Sequence, residues 1–153
     1  MNYVRRVLQP GESVVLLTRL HIIIFLPALF WFAGAVVLAI AGLTQQGDAR
    51  ILGEALALFC LVIAAAAAIP ALIRRVSTEL AVTDRRVIYK SGVIARHTLE
   101  MNRSKVESVD VDQSLLGRLL GFGTITVRGT GGSLEPIRLV SDPLTFRSHI
   151  TAG

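Results

Sequence analysis

Two long apolar runs, separated by a short polar stretch, constrain this chain more than any other feature of its sequence. Residues 22–43 contain no charged side chain, and residues 51–73 contain only Glu54. At a rise of about 1.5 Å per helical residue, each run reaches about 33 Å, enough to cross a hydrocarbon core of about 30 Å. Because residues 44–50 are too few for more than a turn, the sequence predicts a two-helix transmembrane hairpin.

The distribution of basic residues predicts the orientation of this hairpin. The bases that flank its two ends are Arg5, Arg6, Arg19, Arg74, Arg75, Arg85 and Arg86. The loop 44–50 carries only Arg50, beside Asp48. The positive-inside rule therefore places both termini in the cytoplasm and the loop 44–50 on the opposite side of the membrane. A cleaved signal peptide is the alternative, but the first run exceeds the usual apolar length and a second run follows it.

Small residues recur along both apolar runs and predict close helix packing. The predicted packing residues are Gly34, Ala35, Leu38, Ala39 and Gly42 in the first run and Ala64, Ala65 and Ala68 in the second. Glu54 lies about one turn from the outer end, where we expect it to pair with Arg50 at the membrane interface. A transport path through Glu54 is the alternative interpretation.

After the second run, the sequence pattern changes from helical to alternating, which predicts strands. The six predicted strands span residues 76–83, 86–90, 93–101, 106–112, 124–130 and 134–141. In the first of them, Glu79 is expected on the face opposite Leu80. In the third, Ala95 and His97 are expected on the same side as Leu99.

Two short helices are predicted among and after these strands. Ser114 can cap a helix over residues 115–120 that ends at Gly121, and its leucines are expected to plug the end of a sheet. Asp142 and Pro143 begin a final short helix. Its predicted apolar contacts are Leu144, Phe146 and Ile150.

The N-terminal segment contains two β-prone runs, residues 3–8 and 14–20, on either side of a turn at residues 9–12. We predict a short hairpin here, with a bent lead-in to the first apolar helix as the alternative. The predicted organisation is therefore an N-terminal segment, 1–21, a transmembrane hairpin, 22–73, and a cytoplasmic domain, 74–153.

The sequence offers little support for catalysis. The single cysteine, Cys60, excludes an intrachain disulfide and a cysteine-based metal site. The three histidines are far apart in the chain, and the GTGGS stretch lacks the Lys-Ser/Thr pair of a nucleotide-binding loop. We therefore expect no catalytic residue, metal or cofactor. A net charge of +5 spread along the chain also gives no reason to expect a nucleic-acid partner.

Three stretches resemble the bacterial pleckstrin-homology (PH) family of membrane-tethered proteins. They read TELAVTDRRVIYKSGVI, KVESVDVDQSLLGRLLGFGTITVRGTGG and EPIRLVSDP. The resemblance implies a membrane-anchored α+β protein, in which a bent seven-stranded barrel or sandwich is closed by a C-terminal helix. Because only six strands are counted after the hairpin, either residues 4–20 supply the missing strand or the barrel is incomplete.

The resemblance, together with the anchor, leaves three functions open. The first is a scaffold that self-assembles or holds a membrane-protein partner at the bilayer. The second is a sensor of anionic lipid headgroups, whose candidate ligands are Arg74, Arg75, Arg85, Arg86 and Lys90. The third is a small transporter or channel subunit.

Overall fold

A computed structural model describes residues 3–93, 97–130, 132–133 and 135–151, and it divides into two compact units. The first, which we call the β domain, combines residues 1–21 with 74–153. The second, the apolar hairpin, comprises residues 22–73. The N-terminal segment thus belongs to the same unit as the strands that follow the hairpin.

The described helices are α1 (Tyr3–Val7), α2 (Leu26–Leu43), α3 (Asp48–Ser77), α4 (Leu115–Leu120) and α5 (Pro143–Thr151). The described strands are β1 (Val14–Thr18), β2 (Glu79–Thr83), β3 (Arg86–Ser91), β4 (His97–Asn102), β5 (Val106–Asp112), β6 (Phe122–Gly129), β7 (Gly132–Ser133) and β8 (Ile137–Ser141). Short 3₁₀ turns cover Ile22–Phe25 and Arg103–Lys105.

The strands form two antiparallel sheets, and the first is completed by a strand that precedes the hairpin. Its order is β1-β2-β3-β4, while β6 pairs with β5, β7 and β8 in the second. Leu16 lies opposite Val82, and Thr18 lies opposite Leu80. A bridge between Leu20 and a residue of β8 joins the two sheets at one corner. The apolar hairpin is therefore an insertion between two neighbouring strands of one sheet, and the N-terminal segment supplies the missing strand.

The predicted N-terminal hairpin is wrong, because residues 3–7 are helical and β1 pairs with β2 instead. Val4 is buried against Ala81 and Ile88, with Tyr3 and Val7 packed beside it. Val7 follows Val4 by three positions and Tyr3 by four, so one side of the helix presents these residues to the sheet. Contact with the sheet thus overrides the β propensity of this run.

The first predicted strand after the hairpin begins later than expected and is buried on both faces. Residues 76 and 77 continue α3, and all five residues of β2 are buried. Glu79, expected on the more exposed face, is only 6% exposed, and its carboxylate lies 3.4 Å from the backbone nitrogen of Val4. The covering helix α1 explains why a strand of alternating pattern has no solvent face.

The remaining elements follow the predicted order with shifted ends. The strand at 106–112 and the α4 helix between Ser114 and Gly121 match the expectation. The third strand is described over β4, where His97 is exposed, and Ala95 lies outside the described residues. The last predicted strand is described as β8 and begins later than expected, and Leu134 lies outside the described residues. The short β7 lies in the stretch predicted as a loop.

The final helix α5 packs against both sheets through two of its three predicted apolar contacts. Phe146 and Ile150 are 0% and 5% exposed. Leu144 is 57% exposed, so its predicted role in the core is wrong. Because Leu144 lies two positions before Phe146, the helical turn of about 100° per residue carries it to the opposite side of α5.

The apolar hairpin contains two helices that are long and apolar enough to cross a membrane. They span Ile22–Leu43 and Asp48–Ser77, and an 18-residue stretch within each has a mean hydropathy of 2.6 and 2.7, respectively. The second helix begins at Asp48, three residues earlier than predicted, so the connecting stretch shortens to residues 44–47. Asp48 in the first turn is favourable there, since a carboxylate complements the positive end of the helix dipole.

Candidate functional site

The most extensive polar cluster in the described residues is built around Arg86. Two nitrogens of its guanidinium donate to the two carboxylate oxygens of Glu12, at 2.8 and 2.9 Å. A third donates to Glu100, and the backbone carbonyl of Val7 accepts a further bond at 2.7 Å. The Thr83 hydroxyl donates to Glu12 at 2.7 Å. The cluster therefore fastens the segment between α1 and β1 to the turn between β2 and β3.

The two central charges of this cluster are removed from water. The Glu12 side chain is fully buried, and that of Arg86 is 12% exposed. The hydrogen bond from Arg86 holds the pKa of Glu12 at about 2, against the opposing effect of burial. The same bond from the other side raises the pKa of Arg86. A guanidinium engaged in this way serves the fold, so Arg86 does not fit its predicted role as a headgroup ligand.

The other predicted headgroup ligands do not form one site. Arg85 is exposed in the turn before β3, whereas Lys90 is half-buried near the opposite end of that strand. Five residues of strand separate them by about 16 Å, too far for one phosphate. Arg74 is exposed in the last turns of α3, and the Nε of Arg75 donates to the carbonyl of Leu20 at 3.2 Å.

Lys90 pairs in register with Glu79, the first residue of β2. The end of β3 that carries Lys90 is therefore the end at which the chain returns from the apolar hairpin. Arg74 and Arg75 precede β2 by a few residues and belong to this end of the β domain. Arg85 belongs to the other end. The predicted basic set is thus divided between two ends of one sheet.

Within the apolar hairpin, the helices meet along small residues spaced seven apart. The buried members are Ala28, Ala35 and Gly42 in α2 and Ala57, Ala64 and Ala71 in α3. At Gly53, an added Cβ would lie 3.1 Å from the Cα of Gly42. The sequence prediction included Ala35, Gly42 and Ala64. It missed Ala28, Ala57 and Ala71 because it considered small residues close together on one helix. It did not consider the seven-residue spacing that keeps two helices in contact.

Other predicted packing residues lie away from this seam. An added Cβ at Gly34 would meet nothing within 4 Å, and Ala39 and Ala65 are exposed, so these three were assigned wrongly. Leu38 is half-buried and contributes its backbone carbonyl, which lies 3.7 Å from the Cβ position of Gly53. The half-buried Ala68 lines a shallow apolar groove together with Ala65, Phe25, Ala28, Leu29, Phe32, Leu61 and Ala64.

The predicted ion pair near the start of α3 is confirmed. The Nε of Arg50 lies 2.7 Å from a carboxylate oxygen of Glu54, one helical turn away. Both side chains are about half exposed. Because both groups are exposed, water screens their attraction, and the pair adds little to stability in water.

The first sheet ends in an apolar edge strand. β1 pairs with β2 on one side. On its other side, contact with the second sheet begins at Thr18, whose hydroxyl donates to the Ser141 carbonyl, and continues at Arg19, whose carbonyl accepts from the Ser141 N–H. Val14, Val15 and Leu17 are 38%, 45% and 46% exposed. Terminal strands with apolar side chains are sites where another chain can add a strand.

The α4 helix forms a second exposed apolar surface, and its leucines do not plug the sheet as predicted. Leu115 and Leu119 are 83% and 81% exposed. Gly117 instead faces the β domain, where an added Cβ would lie 2.6 Å from the carbonyl oxygen of Phe122. Gly117, which has no side chain, occupies the inward face of α4, so the leucines on its other face are directed outward.

The three histidines lie in separate elements and form no common site. The His21 ring contacts Phe122, and the His97 ring contacts Tyr89. The Nδ1 of His149 bonds within its own helix. Among the residues that the structure describes, no three His, Cys, Asp or Glu side chains are grouped closely enough to hold a metal ion.

A comparison with protein families gives one match. The family model described as bacterial PH domain covers residues 14–152, from the first residue of β1 to beyond the end of α5. The matched region includes the apolar hairpin, in agreement with a domain whose strands lie on both sides of it. No curated protein and no solved structure matches this chain.

Proposed function

The chain belongs to the bacterial PH domain family, and from this membership we propose that it is a non-catalytic integral protein of the bacterial cytoplasmic membrane. In this proposal the apolar hairpin spans the bilayer with both chain termini in the cytoplasm. The β domain acts as an assembly module at the membrane surface and binds other copies of the chain through the open edge of β1.

The observation that carries the membrane part of the proposal is the insertion of the hairpin between paired strands. Since β1 and β2 are neighbours in one sheet, the chain must leave and re-enter the β domain on the same side of a bilayer. The two junctions also lie close together, because Arg75 donates to the Leu20 carbonyl. An even number of spans satisfies this requirement, and the two candidate helices supply it.

The assembly part of the proposal is supported by the apolar edge of β1. Val15 and Leu17 leave about half of their surface exposed. In the described chain, no strand pairs with the outer edge of β1 over residues 14–17. The opposite edge strand, β4, carries polar or charged residues such as Thr98 and Glu100 instead. Pairing between copies through β1 would extend the sheet and cover apolar surface at once.

The absence of catalysis is also part of the proposal. Glu12 and Arg86, which form the buried ion pair, are fully engaged in holding the N-terminal segment. Such a pair is already neutralised by its partner and is poorly suited to proton transfer near neutral pH. Histidine is the side chain that most often transfers protons in enzymes, and the histidines of this chain lie apart from one another.

The oligomeric state of the full chain in mild detergent, measured by native mass spectrometry, tests the assembly. We expect multiples of the 16.5 kDa chain. Leu17→Glu and, independently, Val15→Glu should shift the population to the monomer, because each places a charge on the pairing edge. Thr98→Glu, the matched change on the opposite edge, should leave it unchanged.

A thermal unfolding curve on each variant establishes that the β domain remains folded. A wild-type chain that is strictly monomeric contradicts the assembly. If both β1 variants still form oligomers while the β domain stays folded, the copies do not pair through the edge of β1.

A further inference from the structure

The α4 helix is held against the β domain in a way that fixes its leucines outward. The Ser114 hydroxyl accepts from the Gly117 N–H at 3.1 Å, and Gly121 ends the helix with a φ of +74°. The side-chain amide of Gln113 donates to the Phe122 carbonyl at 3.0 Å. The contacts that hold this six-residue helix thus come from the residues that flank it and from Gly117. None of its leucines takes part in them.

The exposed surface of α4 is almost entirely aliphatic. Its side chains other than Gly117 are Leu115, Leu116, Arg118, Leu119 and Leu120, all of them exposed. Leu144, at the start of α5, lies two residues beyond Asp142, whose N–H donates to the Gly121 carbonyl. Leu144 is 57% exposed and extends the patch. A contiguous exposed patch of this kind indicates an interaction surface.

This patch adjoins the point where the chain leaves the β domain. The His21 ring lies 5.4 Å from that of Phe122, which follows α4 by two residues. The His21 N–H also donates to the Leu139 carbonyl, so the exit point is fixed to β8. The next residue along the chain, Ile22, begins the apolar hairpin.

We propose that α4 inserts its leucines into the phospholipid interface and so forms a second contact between the β domain and the bilayer. This inference rests on the membrane insertion proposed above. Because the proposed membrane span begins at Ile22, the surface next to His21 belongs to the part of the β domain that the tether brings to the headgroups. Interfacial helices bury their apolar faces about 5–10 Å below that level.

The charges around α4 suit an anionic lipid surface. Arg118 lies among the leucines and can extend its guanidinium to the headgroups while its methylenes stay with the acyl chains. Arg19 and Arg138, next to residues that bond at the exit point, are exposed as well. Two exposed acids flank the helix: Asp112 lies three residues before it, and the carboxylate of Asp142 lies beside Gly121.

The distribution of the leucines favours lipid over a second copy of the chain. Residues 115, 116, 119 and 120 span about 140° of the helix surface at 100° per residue. Leu115 and Leu119, at more than 80% exposure, protrude from the surface instead of lining a concave site. Fluid acyl chains can surround such a ridge, whereas a folded partner would need a matching groove.

Spin-label accessibility in vesicles of zwitterionic and anionic phospholipid tests this inference. Single labels are placed by Leu115→Cys or Leu119→Cys in the full chain carrying Cys60→Ala. Phe30→Cys in α2 reports on insertion of the hairpin, and Thr98→Cys on β4 reports an aqueous site. Both control positions are exposed. Collisions with oxygen and with a water-soluble nickel chelate are measured for each label.

The inference predicts that the α4 labels resemble the Phe30→Cys label, with oxygen favoured over nickel by several-fold and a shallower depth. If the α4 labels resemble Thr98→Cys while the Phe30→Cys label is in lipid, the α4 inference is wrong and the membrane insertion stands. If the Phe30→Cys label is itself in water, the proposed function fails and this inference fails with it. Shielding from both reagents, with line broadening lost on dilution by unlabelled chain, would identify a second copy as the partner and overturn lipid insertion.

Discussion

The β domain and the apolar hairpin use the same aliphatic residues in opposite ways. In the β domain, Leu80, Ile88 and Ile125 are at most 1% exposed, and they pack between sheets and helices. In the hairpin, Phe30 and Leu43 are 72% and 70% exposed, and the residues buried at its seam are alanine and glycine. The β domain folds by removing large side chains from water. The hairpin brings two backbones together and leaves its large side chains outward.

This difference teaches where each region obtains its stability. A water-soluble core depends on burying large apolar groups and on satisfying every polar group enclosed with them. In the lipid location proposed for the hairpin, two helices gain nothing by hiding leucine from lipid, so close backbone contact contributes more.

The largest effect is expected at Arg86. Arg86→Met leaves the buried Glu12 carboxylate without its partner, which should lower the unfolding free energy of the β domain by about 3–5 kcal/mol. Arg85→Met, one residue away and exposed, should change it by less than about 0.5 kcal/mol. Urea unfolding of the detergent-solubilised chain, followed by pulse proteolysis, measures both. Equal effects from the two changes would contradict a structural role specific to Arg86.

Acid should weaken the β domain through the same cluster. Since Arg86 holds the folded-state pKa of Glu12 at about 2, below the ordinary value of 4.5, its stabilising contribution is complete above about pH 4.5. That contribution is lost progressively as the pH falls from 4.5 towards 2, because protonation then favours the unfolded chain. Glu12→Gln should lower the unfolding free energy at pH 7, and the unfolding free energy of this variant should change less between pH 4.5 and 2. The same pH dependence in the variant and the wild type would contradict a stabilising contribution from ionised Glu12.

In the hairpin, the expected effect is smaller and arises from the backbone. Gly53→Val would place methyl groups against the Cα of Gly42, which lies 3.1 Å from the Cβ position. Overpacking at this contact should cost about 1–3 kcal/mol of helix association. Gly34→Val, with open space around it, is the matched control. Cross-linking efficiency between cysteines on the two helices measures the separation, and equal losses for both variants would contradict the seam.

The smallest effect is expected on α4, although its residues are as apolar as those of the core. Leu119→Ser should alter the unfolding free energy in detergent by less than about 0.5 kcal/mol, since the side chain is 81% exposed. Ile125→Ala, in the core, should cost about 2–5 kcal/mol in the same assay. A large cost at Leu119 would mean that α4 contributes to the domain core after all.

Local sequence patterns predicted the elements whose boundaries are set by neighbouring residues. The β5 strand and α4 follow directly from alternation, the Ser114 cap and Gly121. The helices of the hairpin follow from uninterrupted apolar runs. In each case the interactions that set the element lie within a few positions along the chain, so the local sequence pattern is enough to predict it.

The contacts that the sequence did not reveal join distant segments. Arg86 and Glu12 are 74 residues apart, so nothing near either one marks it as buried. β1 and β2 pair although the whole hairpin lies between them in the chain. Their sequences therefore gave no sign that the N-terminal strand belongs to the first sheet. The leucines of α4 were misassigned because burial depends on which side Gly117 presents to β6. The spacing of the leucines shows that they share one face of the helix. It does not show whether that face is buried or exposed.

The most direct test of the account is the sidedness of the hairpin loop and of the C-terminal helix. Gln46→Cys and, separately, Ser148→Cys are introduced into the chain carrying Cys60→Ala and expressed in bacterial spheroplasts. A membrane-impermeant maleimide should label position 46 in intact spheroplasts and position 148 only after the membrane is permeabilised. Labelling of position 148 from outside, or of neither position before permeabilisation, would contradict a β domain assembled at the cytoplasmic face around a membrane-spanning insertion.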